Sequence, residues 1–218
     1  MIGHSEGGII APMVAARSKD VAFIVLLAGT GIPGDQLLLL QQELIGRVGG
    51  MSESDLEERK AFNKGAFDMV IHATDPEKLR TDLTAYIKQG FASSPEEIPE
   101  GISEDENATM HANQLLSPWM QYFIKYDPTI ILEKVKCPVL AINGEKDLQV
   151  PPKENLTAIA AALKKGGNKK TTTKVLPGLN HLFQECTTGS PDEYAEIEQT
   201  MSPVALFEVL SWIKQQTR

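Results

Sequence analysis

The stretch Gly3-His4-Ser5-Glu6-Gly7-Gly8 lies almost at the amino terminus and runs directly into the largely apolar segment 9–16. It is a G-x-S-x-G pattern that opens a predicted helix. In a strand-turn-helix elbow of this kind, the chain turns sharply at the serine, and the strained backbone holds the hydroxyl in the open. We expect the flanking glycines to be required because a Cβ there would collide with the neighbouring strand and helix. Ser5 is therefore a candidate nucleophile, and the backbone N–H of Glu6 is a candidate oxyanion donor.

Two further candidate residues follow in the chain, each just after an apolar run that is typical of a buried strand. Asp147 comes shortly after a strand predicted at 139–142, and His181 comes after a short strand predicted at 171–176. In a doubly wound sheet, residues that face a ligand gather beyond the carboxyl ends of the strands. The order serine, acid, histidine is that of α/β-hydrolases. We therefore predict a triad of Ser5, Asp147 and His181, with His181 as general base and Glu145 as the alternative acid.

The rest of the chain predicts an α/β core interrupted by helices. The uninterrupted apolar run 21–27 is typical of a parallel strand covered on both faces. From 34 to 134 no strand pattern occurs, and helix starts such as Asp75-Pro76 and Ser117-Pro118 favour a helical insertion. We predict a partial α/β-hydrolase core at 1–33 and 135–218, a parallel sheet with flanking helices, and a helical cap at 34–134.

Aromatic side chains are concentrated in the last part of this predicted cap. Trp119, Tyr122 and Phe123 follow the helix start at Ser117-Pro118 with the spacing of one helix face. That spacing favours core packing. The alternative is that they line an acyl pocket between cap and sheet, so we take these three residues as candidate substrate-binding residues.

The final segment predicts one more amphipathic helix, beginning at Ser202-Pro203. We expect it to pack on the sheet through its apolar residues, which are Val204, Leu206, Phe207, Leu210, Trp212 and Ile213.

Composition excludes several classes of function. The net charge of -8 argues against a nucleic-acid partner, because phosphate binding needs a surplus of Lys and Arg. No apolar run approaches the roughly 20 residues of a membrane-spanning helix. The cysteines, Cys137 and Cys186, form no C-x-x-C pair or metal-ligand cluster, and we expect two free structural thiols. The chemistry of the predicted triad needs no metal and no organic cofactor.

The start of the chain is unusual for a sequence that carries this elbow. A strand must precede the elbow, yet only Met1 and Ile2 precede Gly3. In α/β-hydrolases several strands come earlier, and a loop among them supplies a second oxyanion N–H. We therefore expect the carboxyl-terminal part of a hydrolase, for which the absence of a signal peptide assigns no compartment. An unpaired edge strand invites pairing with another copy, so we predict a homodimer or larger assembly.

Four blocks of the sequence carry a family resemblance. They are Gly3–Gly8 and the segments 140–151, 176–184 and 188–194. With them, the chain resembles, over essentially its whole length, a bacterial family of α/β-hydrolase carboxylesterases in the dienelactone-hydrolase and serine-aminopeptidase-like group. The resemblance implies cleavage of small-molecule esters with short acyl chains, using the predicted triad and the Glu6 N–H. The alternatives are a peptidase, thioesterase or acyltransferase of the same fold, or a hydrolase fragment that only folds or assembles.

Overall fold

A computed structural model of the protein describes residues 1–93 and 101–217. The strands are β1 (Ile2–His4), β2 (Ile24–Leu27), β3 (Val139–Gly144) and β4 (Thr171–Leu176). The helices, in chain order, are α1 (Gly7–Arg17), α2 (Gly34–Val48), α3 (Glu53–His72), α4 (Pro76–Ser93), α5 (Glu104–Leu115), α6 (Pro118–Lys125), α7 (Thr129–Leu132), α8 (Pro152–Lys165) and α9 (Pro203–Gln216), with a 3-10 helix at Pro191–Ala195 before the last.

The chain divides into two compact units. The sheet unit consists of Met1–Met51 and Asp127–Arg218, and the helical unit is Ser52–Tyr126. The predicted cap at 34–134 was longer at both ends. Helix α2 belongs to the sheet unit, where Gln41 Nε2 donates to Gln149 Oε1 over 3.5 Å. Helix α7 also belongs there and contacts α1 and α8. Helical periodicity alone does not tell which unit a helix packs against.

The sheet unit is built on one parallel sheet in the order β1-β2-β3-β4. Every residue of β2 and β3 is buried, because helices cover both faces of the central strands. The core joins β-branched and leucine side chains of these strands to α8, including Ile24, Leu26, Val139, Ile159 and Leu163. The predicted fold class, a parallel sheet with flanking helices, is confirmed.

The register of the sheet decides where the candidate site residues lie. Leu27 lies opposite His4 on one side and Ile142 on the other. All strands run in the same direction, so the turns after β1, β3 and β4 emerge at the same edge. Ser5, Asp147 and His181 follow those strands within a few residues.

The helical unit has its own small core. Helix α4 contacts α3 and α5, and α6 contacts α3. Phe67, Val70, Leu83 and Ile87 are buried. Residues 94–100 of the predicted cap lie outside the described residues. That this unit acts as a cap stays a prediction.

The last helix packs through a narrower face than predicted. Trp212 is buried, donates from Nε1 to Thr172 Oγ1 over 3.2 Å, and meets the Phe23 ring edge-on. The prediction was wrong for four side chains that are 50 to 70% exposed, namely Val204, Leu206, Phe207 and Leu210. Trp212 and Ala205 are the buried residues of this helix, and Glu208 pairs with Lys174 of β4, whereas the four exposed side chains lie on other faces of the helix.

None of the helices in the described ranges combines the length and the apolar character needed to cross a bilayer.

Candidate active site

The serine stands at a strained turn between β1 and α1. Ser5 has φ +53, in the left-handed region that residues with a Cβ rarely adopt. Its N–H donates to Leu27 O over 2.9 Å, and its carbonyl accepts from Gly8 N over 2.8 Å. These two bonds hold the turn against its strain. This local structure is the elbow that the sequence pattern predicts.

The glycines around the serine differ in how much space a Cβ would find at each of them. A Cβ on Gly3 would lie 1.9 Å from the carbonyl oxygen of Gly7, and one on Gly8 would lie 2.6 Å from Gly29 Cα. Strand and helix backbones therefore touch at both places. A Cβ on Gly7 would meet nothing within 4 Å. The expected collision is confirmed at Gly3 and wrong at Gly7, where the space is open.

The carboxylate of Asp147 is fixed by its own loop. Its Oδ1 accepts from the backbone N–H of Gln149 over 2.9 Å and of Val150 over 2.8 Å. Asn143 closes the loop by donating from Nδ2 to Val150 O over 2.8 Å. The aspartate is only 2% exposed. A buried carboxylate with two N–H donors has one allowed orientation.

The histidine lies at the tip of a small loop that is locked by one asparagine. Asn180 Oδ1 accepts from Leu182 N and Gln184 N over 3.0 and 2.9 Å, and Asn180 Nδ2 donates to Gln184 Oε1 over 2.9 Å. Phe183, with φ +61, is fully buried beneath the loop. The backbone on either side of His181 is therefore held in place.

Asp147 and His181 form a buried pair. His181 Nδ1 lies 3.1 Å from Asp147 Oδ1 and 3.0 Å from Oδ2. A carboxylate accepts, so Nδ1 carries the proton and the neutral ring keeps its lone pair on Nε2. Gly144 permits this approach, since a Cβ there would come 2.2 Å from Leu179 O. The alternative acid, Glu145, is exposed and accepts from Gly178 N instead.

A second imidazole, that of His4, touches the histidine loop. His4 Nε2 lies 2.9 Å from the carbonyl oxygen of His181, and the two ring centroids are 4.9 Å apart. The same ring meets Phe183 edge-on at 6.1 Å. Burial against these neighbours lowers the pKa of His4, although the bond to the carbonyl acts in the opposite direction. The ring is exposed on its other side.

The structure thus joins Asp147 to His181 by hydrogen bonds and joins the residue before Ser5 to the His181 backbone. Among the hydrogen bonds of the described residues, none links Ser5 Oγ to His181. Glu6 occupies the N-cap position of α1 with helical φ and ψ. The catalytic roles of these residues stay predictions.

The three aromatic candidates for substrate binding lie in the helical unit. Trp119 and Tyr122 are 48% and 55% exposed, and Phe123 is buried and stacks on Trp119 at 5.1 Å. The helix-face prediction of core packing thus holds for Phe123 and is wrong for the other two. Their role in binding substrate stays a prediction.

Sequence reasoning missed three residues that shape the site: Asn180, Gln149 and His4. An asparagine directly before the candidate base is a signal for a locked turn, because its side chain bonds backbone two residues on. Gln149 also donates from Nε2 to Tyr194 OH over 2.8 Å. Burial is the main cause that raises the pKa of Tyr194 to about 12, so its hydroxyl keeps its proton. His4 occupies an x position of the G-x-S-x-G pattern, which specifies no residue type, so only its contacts in the structure show that it belongs to the site.

No metal centre emerges from the residues that the structure describes, where no cluster of three His, Cys, Asp or Glu has suitable geometry. Cys137 and Cys186 are free thiols, and burial raises the pKa of both.

Comparison with known proteins gives a family and a fold. A family model described as the prolyl oligopeptidase family matches residues 76–200, a range that contains Asp147 and His181 and begins after Ser5. A search of curated proteins found no match. The α/β-hydrolase fold predicted from the sequence is confirmed, and it is a fold of esterase- and peptidase-type hydrolases.

Solved structures similar to the chain include two hydrolases at low identity. Proline iminopeptidase from Mycobacterium smegmatis is 14% identical, with 99% of this chain and 64% of that chain covered and a TM-score of 0.45. An esterase from Rhodococcus sp. is 20% identical, with 98% and 64% covered and a TM-score of 0.41. The chain thus spans just under two thirds of the length of each of these two structures.

Proposed function

We propose that this chain, which belongs to the prolyl oligopeptidase family, is a serine hydrolase that cleaves carboxylic esters with short acyl chains through an acyl-enzyme on Ser5. The observation that carries this proposal is the buried Asp147–His181 pair, which leaves His181 Nε2 with its lone pair. A strained serine elbow at the same edge of the sheet supports it.

The first half of the proposed reaction acylates the serine. His181 Nε2 takes the proton from Ser5 Oγ as Oγ attacks the ester carbonyl carbon, and the carbonyl electrons move to the oxygen. The Glu6 N–H donates to that oxyanion. The intermediate then collapses, the C–O bond to the alcohol breaks, and His181 returns its proton to the leaving alcohol. Asp147 keeps Nδ1 protonated and stabilises the imidazolium that forms.

The second half releases the acid. A water loses its proton to His181 Nε2 as its oxygen attacks the acyl carbon, and the second tetrahedral intermediate expels Ser5 Oγ. His181 then protonates Oγ, so the enzyme returns to its starting state. One oxyanion donor is worth about 10²- to 10³-fold in kcat in hydrolases where it has been removed, which is the contribution that we assign to the Glu6 N–H.

A peptidase is the second candidate function, favoured by the family match at 76–200. The same triad cleaves amides when the site protonates an amine leaving group and binds the acyl part well. An ester and an anilide of one N-acetylproline acyl group separate the candidates, because only the leaving group differs. Cleavage of the anilide at a rate within about tenfold of the ester would favour the peptidase, since anilides are intrinsically the less reactive.

The test of the ester proposal compares the protein with its Ser5→Ala variant. We expect hydrolysis of p-nitrophenyl acetate and butyrate, and labelling by a fluorophosphonate, to be lost in Ser5→Ala. The matched control is Ser18→Ala, because Ser18 stands at the other end of the same helix with an unstrained extended backbone. Turnover that survives in Ser5→Ala would contradict the proposal. If the parent protein shows no turnover and no labelling, the remaining alternative is favoured, namely a hydrolase fragment that only folds or assembles.

A further inference from the structure

The residue directly before the candidate nucleophile makes an unexpected bond. Ser5 and His181 belong to different loops, separated by most of the chain. His4 bridges them, since its ring hangs from the end of β1 and its Nε2 reaches His181 O, 177 positions further on. A carbonyl oxygen only accepts, so this nitrogen carries the proton. The bond is therefore compatible with the neutral His4 tautomer that is protonated on Nε2, and with the imidazolium cation.

The His4 ring contacts side chains of the histidine loop as well as its backbone. The His4 ring packs at 4.9 Å from the His181 ring and meets the Phe183 ring edge-on. Phe183 is fully buried, so the His4 ring packs against a side chain of the close-packed core. His181 is thus held at two atoms: Nδ1 by Asp147, and the carbonyl oxygen by His4.

We propose that His4 is a positioning residue that sets the approach of His181 to Ser5 by hydrogen bonding to the His181 carbonyl oxygen. The inference rests on the proposed function, in which Ser5 is the nucleophile and His181 the base. Asp147 controls the tautomer and tilt of the imidazole. His4 controls where the loop that carries His181 stands relative to the elbow, because His4 ends β1 directly before the strained Ser5. A small displacement of the base is enough to lose a large part of the rate.

Two substitutions separate the donor of His4 from its ring. His4→Gln keeps an N–H donor at nearly the same reach as Nε2 and loses the ring. His4→Phe keeps a ring of similar size against Phe183 and loses the donor. For p-nitrophenyl acetate, we expect His4→Phe to lower kcat about tenfold with little change in KM, because a misplaced base raises the barrier by about the net worth of the one hydrogen bond that held it. We expect His4→Gln to recover most of that loss.

Two kinetic outcomes overturn the proposal. A His4→Phe variant with the kcat of the parent protein shows that the bond positions nothing. A His4→Gln variant as slow as His4→Phe shows that the ring, and not the donor, is required. Circular dichroism of both variants identifies a folding defect. If His4→Phe does not fold, the kcat of a folded His4→Gln decides, because the proposal requires it to lie near that of the parent protein.

A second readout does not depend on turnover. The proton on His181 Nδ1, held by Asp147, gives a low-field NMR resonance when the loop is ordered. We expect the chemical shift of that resonance to stay near the parent value in His4→Gln and to change in His4→Phe, because the His181 ring is displaced relative to Asp147. An unchanged shift in His4→Phe would overturn the proposal even in an inactive protein. Failure of the proposed function is recognised separately, by turnover and labelling that are unchanged in Ser5→Ala.

Discussion

The two halves of the candidate site are supported very differently. The acid follows β3, an inner strand whose residues are all buried, and the histidine follows β4, an edge strand that is mostly exposed. Backbone donors fix Asp147, and Asn180 locks the histidine loop. The serine follows β1, a strand of three residues at the edge of the sheet, where Ile2 is 52% exposed. The acid–base pair is therefore fixed by hydrogen bonds within its two loops, whereas the position of the nucleophile depends on one short strand and a few close backbone contacts.

The largest expected effect comes from breaking the well-supported half. Asp147→Asn keeps the shape of the side chain but offers a donor and an acceptor where the His181 Nδ1–H needs an acceptor. We expect hydrolysis of p-nitrophenyl acetate to fall by about 10⁴-fold in kcat, the size seen when a triad aspartate is replaced this way. The matched control is Glu145→Gln, since Glu145 stands in the same turn and, among the described residues, its carboxylate accepts from the Gly178 N–H and not from His181. Equal losses in both variants would contradict the assignment of the acid.

The next effect tests the elbow through its glycines. In Gly3→Ala the new Cβ meets the Gly7 carbonyl, a contact of 1.9 Å that forces strand and helix apart. We expect a loss of about 1–3 kcal/mol or more in the free energy of unfolding, measured by urea denaturation. Gly7→Ala is the matched control, because its Cβ enters open space and we expect no loss. A tolerated Gly3→Ala would contradict the dependence of the elbow on this close backbone contact.

The edge position of β1 predicts self-association. We expect light scattering to show a dimer or larger assembly, because an edge strand with an exposed Ile2 can pair with another copy. Ile2→Lys places a charge on this strand and should shift the protein towards monomer. Ile10→Lys is the control, since Ile10 is 50% exposed but lies on α1. A parent protein that stays monomeric at every concentration would refute this prediction.

The smallest effect concerns the pH dependence of stability. Burial lowers the pKa of His4 below its ordinary value, so the unfolded chain binds more protons than the folded protein near pH 6.5 and below. The charged and titratable neighbours of the ring are His181 and Asp147. The contribution is fully present above about pH 6.5, and it is lost as pH falls through the lowered pKa. We expect the free energy of unfolding to fall with acid less steeply in His4→Gln than in the parent. Identical slopes would mean that His4 titrates normally.

Much of the fold could be predicted because its signals are local. The apolar runs of β2 and β3, and the Ser-Pro helix starts before α6 and α9, follow from periodicity and caps within a few residues. The run at 21–27 was longer than the strand Ile24–Leu27 that forms, because propensity does not mark where pairing with a neighbour ends.

The sequence by itself determined the elbow, the parallel sheet and the order of serine, acid and histidine. Only the tertiary structure decided that Asp147 and not Glu145 pairs with His181, that α2 packs with the sheet, and that α9 leaves four apolar side chains exposed. It also decided the contact between His4 and His181. Local patterns specify which element forms and which face is apolar. Contacts between residues far apart in the chain depend on strand register and on how the loops close, and no short stretch of sequence encodes either.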